Sequence, residues 1–225
     1  MLLTASDRST DFPRWRSATW EDYLRYRDDP KPERTRLFFT GKFLLVIMGG
    51  EGINHSKVND LFIAILFYWF SRFPDRSAES LGRCLLEKAP DRAAAPDLVL
   101  YIGEDVPRWT DGEPRRIDLN RWRAPDLVGE ISDTTLASDL DEKKQIYAAM
   151  GIPEYWVIDV RGLRVFAFRL QEEGTYRQCE GSSVLTGLPI ALLERTLEQL
   201  SGGTNISAAN WFNRQIDRLG QDNDS

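Results

Sequence analysis

Apolar positions recur along this chain with two periods, and the switches between them mark out the elements. Residues 127–131 are an apolar, β-branched run that reads as a strand, with one carboxylate, Glu130, set inside it. From residue 139 to 150 the spacing becomes helical, with Leu140, Lys143, Tyr147 and Met150 on one side. Gly151 stops that helix and Pro153 follows it, the usual punctuation of a helix C-terminus. Residues 155–160 are a second apolar strand. Strand, short helix and strand in this order predict a right-handed crossover between parallel strands. A parallel strand is buried on both faces, so a charge at Glu130 is costly unless a cation or hydrogen bonds meet it.

The flanking pattern extends this unit in both directions. Residues 1–16 read as a flexible polar lead, and residues 17–27 as a helix capped by Thr19, with Asp22 three positions on. Residues 36–48 predict a hairpin turning at Thr40-Gly41-Lys42. The longest predicted helix covers residues 54–73. Its wholly apolar run, residues 61–70, is half the length of about 20 residues that spans a bilayer. It therefore reads as a buried helix, and no membrane partner is expected. Residues 81–87 and 97–102 predict strands joined by a short connection, and residues 103–120 a polar surface excursion. Residues 164–170 and 176–179 pair as a hairpin turning at Glu173-Gly174, and residues 190–200 form a closing helix. The polar stretch 201–225 reads as a partly disordered tail with a short helix near 211–219. The expected fold is α/β: one domain over residues 17–200, with a mixed central β-sheet flanked by helices, an N-terminal helix and hairpin, and a C-terminal hairpin and helix.

Charge and cysteine content narrow the function. A formal net charge of −6 gives no global attraction to nucleic acid. Phosphate contact must come from a local patch, and the densest is Arg115, Arg116, Arg121 and Arg123, whose plain alternative is a solvated loop. Cys84 and Cys179 show no metal-type pairing, and the N-terminus lacks the features of a signal peptide. Both point to the cytoplasm.

The acidic positions suit a metal site. Asp126 and Glu130 share a strand face but lie about 13 Å apart along it, so they cannot hold one ion together. Asp97, at the start of the preceding strand, is the natural partner of Glu130. Two carboxylates from neighbouring strands favour Mg²⁺ or Mn²⁺. A lysine nearby positions the attacking water and steadies charge on a phosphoryl group. The slot two residues after Glu130 is Ser132, not lysine, and the next candidate is the following helix, where Lys143 lies on the face that packs against the sheet and Lys144, about 100° round, on the solvated side. Each residue also has a structural reading: Glu130 as an ion-paired core carboxylate, Asp97 as a turn cap, Lys143 as a surface partner of Asp139 or Glu142, and His55 as a satisfied structural histidine.

Four stretches, GINH at 52–55, APDLVLY at 95–101, PDLVGEIS at 125–132 and DLDEKKQIYAAMGIPEYWVID at 139–159, resemble the Uma2 family. This DUF820-type family is abundant in cyanobacteria and is assigned to the PD-(D/E)XK superfamily. The resemblance implies a restriction-endonuclease-like fold and a Mg²⁺- or Mn²⁺-dependent endonuclease acting on DNA; cutting both strands needs two sites, for which a homodimer is expected. It places the metal Asp on Asp97, the strand carboxylate on Glu130 followed by Ser132, and the lysine, moved to the helix, on Lys143. His55 matches a further family position. One position departs: where many members carry a glutamate in an early strand, this chain has Leu37, and Glu51 is the substitute. A catalytically inactive nucleic-acid-binding or assembly module, or a phosphodiesterase for another phosphoester, are the alternatives.

Overall fold

The computed structural model describes residues 14–30 and 35–223, with side chains to residue 219. Most of the predicted lead and the last two residues of the predicted tail lie outside the described residues. Strand β1 (Arg16–Ser17) precedes helix α1 (Trp20–Arg27). That helix starts on a reciprocal cap. Asp22 N–H donates to Thr19 Oγ1 at 3.3 Å, and Thr19 N–H donates to the Asp22 carboxylate at 3.0 Å. The hairpin of β2 (Thr35–Phe39) and β3 (Phe43–Met48) turns at Gly41, whose φ of +86° favours glycine. Helix α2 (Ile53–Phe70) follows. It buries Val58, Leu61, Phe62, Ile65, Leu66 and Trp69 and exposes Ile63 and Phe67. No described helix is long and apolar enough to cross a membrane.

Strands β4 (Ala78–Ser80), β5 (Leu86–Lys88), β6 (Arg92–Ala94), β7 (Leu98–Ile102), β8 (Ile117–Asp118) and β9 (Leu127–Ser132) come next. The site region continues with α3 (Leu136–Leu140), α4 (Glu142–Met150) and β10 (Glu154–Asp159). Strands β11 (Arg164–Leu170) and β12 (Tyr176–Cys179) and helices α5 (Ile190–Ser201) and α6 (Asn205–Asn223) complete the chain. Where the pattern predicted one central sheet, the strands form two. One has the order β1-β3-β2-β6-β5-β8, the other β12-β11-β10-β9-β7-β4. Both are mixed: β5 and β8 pair in parallel in the first, β9 and β10 in the second.

Five local expectations need correction. Residues 81–87 are not one strand. The chain changes sheets there, from β4, which pairs with β7, to β5, which pairs with β6. The turn between them brings Gly82 so close to β7 that a Cβ would sit 2.5 Å from the Asp97 carbonyl oxygen, and Arg83 follows at φ +68°. The predicted connection before Asp97 contains β6, and the predicted surface excursion contains β8, whose Ile117 is buried. The predicted helix over 139–150 breaks at Asp141, where φ −122° and ψ −88° are not helical, giving α3 and α4. The tail stretch carries a helix longer than the predicted 211–219. α6 buries Ala208, Phe212 and Ile216 in the same core as α2 and α5.

The second sheet separates two cores. On one face Leu98, Leu127, Ile131 and Trp156 pack with α2, α5 and α6. On the other, Val99, Val128, Tyr155 and Val157 pack with α4 and with Phe38, Leu45 and Leu86 of the first sheet. Each such buried side chain contributes about 1.5–3 kcal/mol of transfer free energy. Strict alternation along β9 turns Val128 and Glu130 toward this inner face. Gly129, opposite, lies where a Cβ would meet Leu98 at 3.0 Å.

Candidate active site

Glu130 is buried in the middle of β9, and every oxygen of its carboxylate is used. The Tyr147 hydroxyl donates to Oε1. Lys143 Nζ donates to Oε2 at 3.2 Å, and Arg36 Nη2 donates to the same oxygen at 3.0 Å. Lys143 and Tyr147 are four residues apart on α4, so one helix face delivers both. Gly151, left-handed at φ +80°, ends that helix and returns the chain into β10, parallel to β9. Lys143 is itself buried and lies 2.7 Å from Asp139, four residues back. Its Nζ lies over the Phe38 ring, 4.2 Å from the centroid.

Asp97 precedes β7, which pairs antiparallel with β9 in the register Leu98↔Gly129. One further step sets Asp97 across from Glu130. Its Oδ2 accepts the Ile131 N–H at 2.8 Å and lies 3.2 Å from His55 Nε2. Its Oδ1 lies 2.9 Å from Arg36 Nη1. His55, in the first turns of α2, has its other ring nitrogen 3.0 Å from Glu51. Glu51 also pairs with Arg83, the residue of the left-handed turn.

The two carboxylates sit in different electrostatic environments. Burial works to raise Asp97, but Arg36, His55 and the Ile131 N–H outweigh it and hold it well below the usual carboxylate range. Burial pushes Glu130 up to about 7, against the pull of Lys143 and Arg36. Burial likewise opposes the charge on Lys143, and Glu130 and Asp139 outweigh it, so its value rises. Burial also works to lower His55, and Asp97 and Glu51 raise it. Two acidic groups held apart in this way are the pattern of an acid–base site.

The sequence-derived residues Asp97, Glu130 and Lys143 therefore converge, with His55 and Glu51 adjoining through Asp97. Ser132 is buried on β9, and its hydroxyl has no hydrogen-bond partner among the described residues. The arginine patch is divided. Arg116 pairs with buried Glu87 at 3.0 Å, Arg121 with Glu113 at 2.5 Å, and Arg123 with Asp126 at 2.9 Å. Arg115 lies over the Trp109 ring. Three residues of the site were not anticipated. Leu37 points away into the core around Tyr23, and its neighbour Arg36 enters the site instead. Period-two alternation, which puts residues 36 and 38 on one face, was the signal. Asp139, four residues before Lys143, was legible as its partner but on the helix surface and not in the core, and Tyr147, four residues after, as its neighbour but not as a donor to Glu130.

The donor chemistry fits a divalent cation. Glu51, His55 and Asp97 present one atom each within 4.8 Å of one another, two carboxylate oxygens and an imidazole nitrogen. Glu130 lies on the far side of Arg36, which touches both it and Asp97.

Two mixed sheets flanked by helices, with carboxylates from adjacent strands and a lysine from the next helix, define a nuclease-like α/β fold. The structure of a protein from Anabaena variabilis described as a putative nuclease belonging to DUF820 is similar, with a TM-score of 0.55 and 19% identity over 87% of this chain and 99% of that one. The chain belongs to the Uma2 family, described as "Putative restriction endonuclease", which it matches over residues 20–207. No curated protein matches it.

Proposed function

We propose that this chain is a divalent-metal-dependent endonuclease that hydrolyses DNA phosphodiester bonds. The observation that carries the reading is the meeting of Lys143 from α4 with Glu130 from β9, beside Asp97 at the head of β7. Asp97 and Glu130 are the acidic ligands for Mg²⁺ or Mn²⁺, with His55 and Glu51 adjoining. When bound, the ion polarises the scissile phosphate and acidifies water. Lys143, charged and buried, orients the attacking water against Glu130. Tyr147 and Asp139 hold Glu130 and Lys143 in place. The Ser132 hydroxyl is free to accept or donate one further hydrogen bond. Cutting both strands needs two sites, which a two-fold homodimer supplies. The exposed Ile63, Phe67 and Ile206 give α2 and α6 an apolar patch for a second copy. The free thiols Cys84 and Cys179 suit the cytoplasm.

Calorimetry with Mn²⁺ on the wild type and Glu130→Ala, followed by plasmid nicking on the same samples, tests this reading. Metal binding and nicking that are both lost in the variant support it. A wild type that binds DNA but neither takes up metal nor nicks is the inactive module instead. The full occupation of Glu130 by three protein donors is the observation that favours that second reading.

A further inference from the structure

The residue that neither the sequence pattern nor the proposed chemistry uses is Arg36, and its position is held by several partners. Its guanidinium spans the two carboxylates, with Nη1 2.9 Å from Asp97 Oδ1 and Nη2 3.0 Å from Glu130 Oε2. Nε and Nη2 also donate to the Ala95 carbonyl at 3.0 and 2.6 Å, and the group lies 5.4 Å from the Phe38 ring centroid. A planar fork held on three sides is preorganised to stay where it is. It is also a cation in the place where a metal ion shared by Asp97 and Glu130 would sit.

The charge count makes this position consequential. The buried carboxylates Asp97, Glu130 and Asp139 face two charged cations, Arg36 and Lys143, with His55 beside Asp97. Without Arg36, three buried carboxylates would share one lysine and one histidine, a state that another cation or protonation of a carboxylate relieves.

We propose that Arg36 is the site's built-in competitor for the metal ion: the guanidinium and a divalent cation exclude each other between Asp97 and Glu130, so Arg36 sets the metal affinity. The inference rests on the metal-site reading above and does not depend on cleavage. Displacing Arg36 is a fixed step that lowers apparent affinity by the fraction of molecules in which it has moved aside. Once displaced, its five donors suit a phosphate oxygen pair.

The test is Mn²⁺ binding by calorimetry, without DNA, on the wild type, Arg36→Gln and Arg36→Lys, with thermal melting of each protein with and without the ion. Arg36→Gln is expected to bind Mn²⁺ at least tenfold more tightly than the wild type, to melt lower when metal-free, and to gain more from added Mn²⁺. Arg36→Lys keeps a charge but cannot span both carboxylates, and is expected to fall between the two. If Arg36→Gln is folded by circular dichroism and binds Mn²⁺ no more tightly than the wild type, Arg36 positions the ligands and the proposal is overturned. If Arg36→Gln is too unstable to measure, an Arg36→Lys affinity equal to that of the wild type overturns it as well. Plasmid nicking on the same samples separates the two ideas. A tenfold tightening with no nicking by any variant leaves the role of Arg36 standing and removes the endonuclease reading, whereas nicking with unchanged affinity does the reverse.

Discussion

Two buried glutamates lie on neighbouring strands of the same sheet, and they are held in opposite ways. Glu154, at the start of β10, faces the core of α2, α5 and α6 and meets only neutral donors. Trp156 Nε1 lies at 2.7 Å, Ser183 N and Oγ at 2.8 and 2.6 Å, and Val184 N at 3.1 Å. Glu130, on β9, faces the other core and meets two charged side chains and a phenol. The donors of Glu154 come from its own strand and one loop, and together they pin that loop to the sheet. The donors of Glu130 come from β2 and α4, elements that share no hydrogen-bonded ladder with β9. A carboxylate ringed by backbone N–H groups has a structural assignment. One ringed by side-chain cations can exchange them for another cation; Glu87, which meets Arg27, Arg116 and the Tyr23 hydroxyl, has the same kind of ring, so the ring becomes a candidate site at Glu130 only through the neighbouring Asp97.

Substitutions can break this contrast. Lys143→Ala leaves Glu130 and Asp139 buried without their shared cation. The expected loss is about 3–5 kcal/mol of stability, read by urea titration, with nicking falling at least a hundredfold per folded molecule. Glu154→Ala orphans the Ser183 and Val184 amides and the Trp156 ring N–H. At about 1–3 kcal/mol per unsatisfied buried group after partial relaxation, a destabilisation of about 3 kcal/mol is expected, with nicking per folded molecule unchanged. A parallel collapse of activity in Glu154→Ala would erase the distinction between the two glutamates. Glu154→Gln sharpens it, because both oxygens accept and an amide places donors against donors.

Smaller changes probe the surroundings of Glu130. Tyr147→Phe removes one donor from Oε1, for which about 1–2 kcal/mol is expected, and nicking should drop only several-fold. Ser132→Ala removes a hydroxyl that has no partner among the described residues. Stability should then move by no more than about 0.5 kcal/mol, so any fall in nicking rate reports a role in the reaction itself.

The sequence carried most of the site, because its key elements are local in the chain. The helical face of Lys143 and Tyr147, the stop at Gly151 and the apolar strands around Glu130 are set by spacing within some thirty residues, and each appears in the fold. What escaped was set by distant parts of the chain. Arg36 is 94 residues from Glu130, and the alternation that puts it on one face with Phe38 does not by itself say that this face meets the second sheet. The run 81–87 looks like one strand because apolar residues continue through it. The change of sheet is decided by pairing partners and by the close approach of Gly82 to Asp97. The arginines of 115–123 read as free charge because nothing in the spacing pairs Arg121 with Glu113 or Arg123 with Asp126, and Glu87, which takes Arg116, lies outside the loop. Helix α6 was underestimated because its polar residues hide an apolar stripe, Ala208, Phe212 and Ile216, that acquires meaning only against α2 and α5.

The side chain of Arg36 starts on β2 and ends at Asp97 and Glu130, so it is also a mechanical rivet between two sheets that otherwise meet through apolar packing and two short chain crossings. Whatever draws that rivet out at the site loosens the seam behind it. Amide protons along β2 and β3, such as those of Phe39 and Leu44, which face a core that does not touch the carboxylates, should then exchange with deuterium faster when the site takes up a cation. The near edge of β9 should exchange more slowly. By reciprocity, a ligand or crosslink that clamps the β2–β3 hairpin would weaken the hold of the distant site on its cation, so that far strands would adjust its affinity without touching it.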